Sequence, residues 1–295
     1  MRAPIRRALG DFDVALTERG RHAVDLARDA ALAGRKTVVA VGGDGTIHEV
    51  VNGLMQAREQ GAEDARLGVI GQGTGGDFRR SLGLEHRLDR YCAAIARGAT
   101  RPLDVGRFSY TTHPKDGGEP SSAYFVNILS VGLGGVVDQL VAGADRRLGG
   151  TLAYLSASLR GLARSEVGVL ECRITLDGRT HEEEIRSRSL AVCNGRFFGS
   201  GMQIAPMARW DDGVFEIIDL GQASRLRFAL VSSRMYDGSH LQHDDVRHLR
   251  CQRIAITLRN AQVADRFLLD VDGEPLGRLP MEIEVVPSAL QVFAG

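Results

Sequence analysis

Val38, Val39, Ala40 and Val41 form a short apolar, β-branched run of the kind that a strand buried on both faces requires. It stops at Gly42-Gly43, where the backbone can turn sharply and meet a ligand without a Cβ in the way. Thr46 stands three residues before Glu49, the spacing of a capping box, so the pattern predicts a helix over 47–56. A second apolar run, 66–70, leads into another glycine-rich turn, and the spacing of Leu88, Tyr91, Cys92 and Ile95 predicts a helix over 87–97. Residues 13–16 read as an opening strand, followed by a helix from Thr17-Glu18 to Ala33 that carries Ala23, Leu26, Ala27 and Ala30 on its apolar side. Strand and helix thus alternate to about Arg101, the α/β pattern with ligand turns at the carboxyl ends of parallel strands.

Beyond Pro102 the chain turns strand-rich, with predicted strands over 103–110, 123–130, 167–176, 182–193, 214–220, 252–258 and 266–271. Helices over 149–164 and 223–236 interrupt them, and 111–122 reads as a surface hairpin loop. The expected plan is α/β plus all-β: an α/β domain over 1–101 and a β-sandwich over 102–282.

Composition narrows the function classes. The 295 residues suffice for two domains, and 43% hydrophobic with 25% charged residues is ordinary globular composition. A formal net charge of zero argues against a protein that grips nucleic acid by bulk charge. Cys92, Cys172, Cys193 and Cys251 show neither zinc-ligand spacing nor a disulfide framework, which suits reduced cysteines in a cytoplasmic protein. The first twelve residues lack the apolar core of a signal peptide, and the longest uncharged stretch, 120–137, is too polar to span a membrane. Membrane contact is therefore expected to be peripheral.

The candidate chemistry sits in the turns. Strand, glycine turn and helix N-terminus form a phosphate seat, and Asp44 inside the first turn suggests an intervening Mg²⁺; the plainer reading is a capping aspartate. Asp272-Gly273 is either a two-residue hairpin or a carboxylate with a chemical task. Asn127, a lone amide in an apolar run, is either a strut for a neighbouring loop or part of a cleft. His240, His243 and His248 fit no standard metal spacing and read as a solvated face. Leu152, Leu155, Leu159 and Leu162 form an apolar stripe at helical spacing, which is core or a lipid entry.

Taken together, GGDGT at 42–46, GTGGDF at 73–78, FVNILSVGLGG at 125–135, CNGRFFGSGMQIAPMARWDDG at 193–213 and DVDGE at 270–274 resemble the diacylglycerol kinase catalytic-domain family, specifically bacterial lipid kinases related to sphingosine kinases. The resemblance spans nearly the whole chain. It implies an N-terminal nucleotide domain of the NAD kinase/phosphofructokinase kind and a C-terminal β-sandwich, with segment 283–295 returning to the first domain. It also implies transfer of the ATP γ-phosphate to a hydroxyl of diacylglycerol or a related long-chain lipid, with ATP and Mg²⁺ as cofactors.

By the same resemblance Gly42, Gly43, Gly45, Thr46, Gly73, Thr74, Gly75 and Asp77 hold the nucleotide. Asp272 is the general base, Glu274 its metal-linked partner, and Asp44 and Asp77 share the Mg²⁺. Asp212 holds a structural Mg²⁺, and Asn127 belongs to the active cleft. The partners implied are a lipid at the membrane surface and a second copy in a homodimer, without nucleic acid. Two departures stand out. The family's opening strand with its Asn-Pro glycine/serine loop has no counterpart here, which predicts an exposed sheet edge and weaker ATP binding. Gly76 occupies a position where the motif usually has Asn. The rival readings are an NAD kinase-like enzyme and a nucleotide- or lipid-binding pseudokinase.

Overall fold

The computed structural model describes residues 2–73, 75–113, 117–135 and 160–295. Thr74 and the stripe positions Leu152, Leu155 and Leu159 lie outside the described residues, while Leu162 packs on a buried cluster beneath the strands.

The apolar run forms β1 (Thr37–Gly42), which pairs in parallel with β2 (Arg66–Gly71), Thr37 opposite Arg66 and Gly42 opposite Gly71. Among the described residues β1 pairs on one side only, so the sheet has an open edge there. Around this pair lie α1 (Arg2–Leu9), α2 (His22–Leu32), α3 (Asp44–Glu59), the single-turn α4 (Asp77–Ser81) and α5 (Leu88–Ala96). Helix α3 packs tightly on α2 because Gly53 has no side chain; a Cβ there would collide with the Val24 carbonyl.

The remaining strands are β3 (Arg101–Thr112), β4 (Pro120–Phe125), β5 (Ile128–Gly132), β6 (Gly168–Leu176), β7 (Arg179–Ser187), β8 (Ser189–Cys193), β9 (Phe215–Asp219), β10 (Arg247–Cys251), β11 (Arg253–Leu258), β12 (Leu268–Val271) and β13 (Glu274–Val292). A further helix, α6 (Arg225–Ser233), covers part of them. They run in the order β10-β9-β8-β5-β12-β13-β11-β6-β7, with β4 and β3 branching from β13. The long β13 links the halves: it starts antiparallel to β12, runs beside β11 and β3, and ends parallel to β2 at Gln291 and Val292. One buried cluster fills the helical half, with Ile47, Leu54, Leu67, Phe78 and Tyr91, and takes Leu290 and Val292 from the end of β13. A second, around Phe108, Phe125, Phe215 and Ile283, fills the strand-rich half.

Several sequence expectations change. Residues 13–16 are not a strand; they have no pairing partner, and Leu16 is 69% exposed. The expected strand 123–130 breaks at Val126-Asn127 into β4 and β5, and 182–193 breaks at Arg188 into β7 and β8. β10 was invisible as a pattern because Arg247, His248 and Arg250 put charge and polarity on an edge strand. His240 is not on a solvated face: it is fully buried, with Nε2 3.0 Å from the Ile204 carbonyl oxygen. All four cysteines are free and buried. Among the described residues no helix is long and apolar enough to cross a membrane.

Candidate active site

The site is assembled on one stripe of α3. Asp44, His48 and Asn52 recur every fourth residue, so they project from the same side of the helix. Each holds a different part of the molecule.

Asp44 opens the helix and reaches the second glycine turn. Its Oδ2 accepts hydrogen bonds from Gly76 N (2.8 Å) and Asp77 N (3.2 Å), and its Oδ1 accepts one from Phe78 N (3.2 Å). It is therefore a capping aspartate, but for α4 rather than for its own helix. The expected Thr46/Glu49 capping box does not form. Glu49 instead accepts from Arg21 N (2.9 Å) and Ala23 N (3.0 Å), so it caps α2. Thr46 leans on Gly42, where any Cβ would collide with its Oγ1. The two glycine turns pack back to back at the carboxyl ends of β1 and β2, with a Cβ on Gly73 falling 2.8 Å from Gly43 Cα. Gly76 has φ +63°, in the left-handed region that Asn also tolerates, so the departure from the family motif keeps the backbone geometry.

Asp77 starts α4 and is buried. Its Oδ1 lies 2.7 Å from Arg80 Nη1, and its Oδ2 accepts from Ser200 N (2.8 Å). Arg80 also donates to the Gly75 carbonyl. Burial pushes the Asp77 carboxyl above its ordinary range against the Ser200 hydrogen bond, and the Asp44 charge adds to the rise.

Asp272 and Gly273 have φ +53° and +88° and form the two-residue turn between β12 and β13. The hairpin reading is thus right, yet the carboxylate has a second role. Asp272 is buried, and its Oδ1 accepts from Asn127 N (2.9 Å) and Ile128 N (3.1 Å). Its Oδ2 accepts from Val126 N (3.1 Å) and lies 3.1 Å from His48 Nδ1. All four acceptor positions of the carboxylate are engaged. The break between β4 and β5 is what turns these three amides toward it.

Glu274 follows at the start of β13. Its carboxyl end lies against Gly45, where a Cβ would strike Oε1, and no hydrogen bond engages it among the described residues. Desolvation pushes this carboxyl above the usual range; the nearby His48 opposes the shift, and Glu49, Asp270 and Asp272 reinforce it. The DGE hairpin and the GGDGT turn, some 230 residues apart in the chain, therefore meet face to face. Gly45→Ala is expected to leave the melting temperature unchanged or slightly higher, because Ala favours a helix by up to about 1 kcal/mol. It should displace Glu274 and lower turnover at least tenfold; unchanged turnover in a steady-state assay would remove Glu274 from the site.

Asn127 acts as a strut. Its Nδ2 donates to the Phe197 carbonyl (2.8 Å), and its Oδ1 lies 3.1 Å from Ser81 Oγ, so it ties the loop after β8 to α4. Asp212 stands elsewhere, half-buried, with Oδ1 accepting from Val214 N (3.4 Å) and Oδ2 3.5 Å from Arg250. Burial also raises its carboxyl. Sequence reasoning missed His48 and Asn52. Their only signal was the fourfold spacing of polar residues from Asp44, a stripe that continues to Gln56.

The residues offer no preformed metal cage: among the described residues no group of three or more His, Cys, Asp or Glu is placed to hold an ion. Asp44 and Asp77 spend their oxygens on amides and Arg80. A Mg²⁺ carried by nucleotide phosphates needs only one or two carboxylates, and Glu274 has oxygens to spare.

Comparison with known proteins gives a consistent family. The diacylglycerol kinase catalytic domain matches residues 1–108, and the YegS C-terminal NAD kinase beta sandwich-like domain matches residues 127–294. A diacylglycerol kinase of Bacillus subtilis (strain 168) is 29% identical over 288 residues, covering 94% of this chain and 86% of its own. A protein of Chromohalobacter salexigens described as "Probable lipid kinase YegS-like" is 30% identical over 296 residues, covering 98% and 86%. The crystal structure of a diacylglycerol kinase from Bacillus anthracis str. Sterne shares the fold, with a TM-score of 0.67 at 20% identity over 99% of this chain and 88% of that one.

Proposed function

This chain belongs to the diacylglycerol kinase and YegS-like family of lipid kinases, and from that premise we propose that it transfers the γ-phosphate of ATP to a hydroxyl of diacylglycerol or a related long-chain lipid. The observation that carries this reading is the meeting of the GGDGT turn with the DGE hairpin, Glu274 lying over Gly45 and Asp272 beside His48. Phosphoryl transfer asks for anchored phosphates, neutralised charge and a group that takes the hydroxyl proton.

Main-chain amides of Gly42, Gly43, Gly45 and Gly73 and the N-terminus of α3 supply the phosphate seat in this reading, with Thr46, Gly75 and Asp77 bordering it. Glu274 would hold the Mg²⁺ that neutralises the phosphates when the nucleotide is bound, and Asp44 keeps the second turn in place beneath it. Asp272 takes the proton of the attacking hydroxyl. Its carboxylate is fixed by three amides, so it is oriented before substrate arrives, and one of its four donors has to yield to the hydroxyl. The lipid is met at the membrane surface.

The test is transfer of labelled γ-phosphate from ATP, with Mg²⁺, to a panel of lipids in mixed micelles. Diacylglycerol, sphingoid base, ceramide and NAD serve as acceptors. Label in a lipid supports the proposal and names its substrate; label in NAD instead supports the NAD kinase reading. Bound ATP with no label in any acceptor leaves the pseudokinase.

A further inference from the structure

Among the described residues His48 is the only side chain that donates to Asp272; the other three donors are consecutive backbone amides at the β4–β5 break. It is also the only one that comes from α3, the helix whose first turn is the candidate phosphate seat. The imidazole is 7% exposed and has its other nitrogen, Nε2, 3.4 Å from Asn52 Nδ2.

The Asn52 amide is fixed in orientation. Its Oδ1 accepts from Tyr124 N (2.9 Å), and its Nδ2 donates to the Tyr124 carbonyl (2.9 Å) and the His48 carbonyl (2.9 Å). Both hydrogens of the Asn52 amide are thus spent on the two carbonyls, so the ring proton is placed by the other side: Asp272 Oδ2, which can only accept, puts it on Nδ1. This tautomer is assigned from the hydrogen-bond network. Asn52 packs on the far side of the ring while clamping β4 to the same helix.

From this we infer that His48 is a positioning residue for phosphoryl transfer, the Nδ1–H tautomer fixing the Asp272 carboxylate at a set distance from the nucleotide turn. The amides alone would hold Asp272 to the strand-rich half, and the imidazole ties it to the helix that carries the phosphates. The inference rests on the kinase reading above. A carboxylate misplaced by about 1 Å can cost on the order of a hundredfold in rate.

The experiment uses the full chain with His48→Asn, whose Nδ2 stands where Nδ1 does and can donate, and His48→Phe, which fills the space and cannot. His48→Phe is expected to lower kcat for the lipid acceptor by about 30- to 100-fold with KM for ATP within twofold. His48→Asn should recover at least a third of the wild-type kcat. Nitrogen-15 imidazole spectra of the ligand-free protein should show the Nδ1–H tautomer of His48. Wild-type kcat in His48→Phe, equal losses in His48→Phe and His48→Asn, or an Nε2–H tautomer would each overturn the positioning role. A wild-type chain that labels no acceptor would instead overturn the kinase reading and this inference with it, so the two failures are told apart.

Discussion

Asp272→Asn is expected to lower phosphoryl transfer by about 10²- to 10⁴-fold, the range lost with a general base. Nucleotide affinity, measured by titration calorimetry, should stay within a few-fold, because Asp272 reaches no glycine of the phosphate turn. The structure adds a second consequence. Asp272 is an acceptor for three amides and His48, and an Asn amide would turn an N–H₂ toward donors. Leaving one or two of them unpaired in a buried site costs about 1–3 kcal/mol each, so the melting temperature should fall by several degrees. Turnover above a tenth of the wild-type value in a folded Asp272→Asn protein would take the base role away from it.

The second large effect belongs to Asp44. Asp44→Ala removes the acceptor of Gly76 N, Asp77 N and Phe78 N together. Charge-assisted bonds to amides are among the strong ones, and their joint loss should cost about 2–4 kcal/mol of stability. The second glycine turn would loosen along with Asp77, which hangs from the same helix start, and kcat/KM should fall about a hundredfold or more. Asp44→Asn keeps one carbonyl acceptor in the same place, so its stability should lie between those of the wild type and Asp44→Ala in chemical denaturation. If Asp44→Ala unfolds at the wild-type denaturant midpoint, the capping role is wrong. If it loses activity without losing stability, the carboxylate acts on the ligand directly.

These outcomes also bear on acidic residues as a class. Asp44, Asp77 and Asp272 look alike in sequence, each beside a glycine in a turn, and each was open to a chemical reading, the first two as metal ligands and the third as a base. In the fold all three serve first as acceptors that hold turns in place. Glu274 is the carboxylate left with free oxygens, and nothing in the string DGE distinguishes it from its neighbour.

The sequence alone determined a good deal. The apolar, β-branched run 38–41 specified a strand and Gly42-Gly43 its end, because β-propensity and backbone freedom are local properties; burial on both faces was not, since among the described residues β1 lies at the sheet edge, with Ala40 buried but Val41 44% exposed. Asp272-Gly273 specified a tight turn for the same reason, since both residues tolerate positive φ. The five motifs, in order, placed the chain in its family. Pairing partners were not local. Whether 13–16 found a neighbour, whether 123–130 stayed one strand, and whether Glu49 capped its own helix or α2 depended on atoms distant in the chain. The tertiary structure alone decided that His48 meets Asp272 across 224 positions, because a hydrogen bond reads distance in space and a sequence pattern reads only distance along the chain.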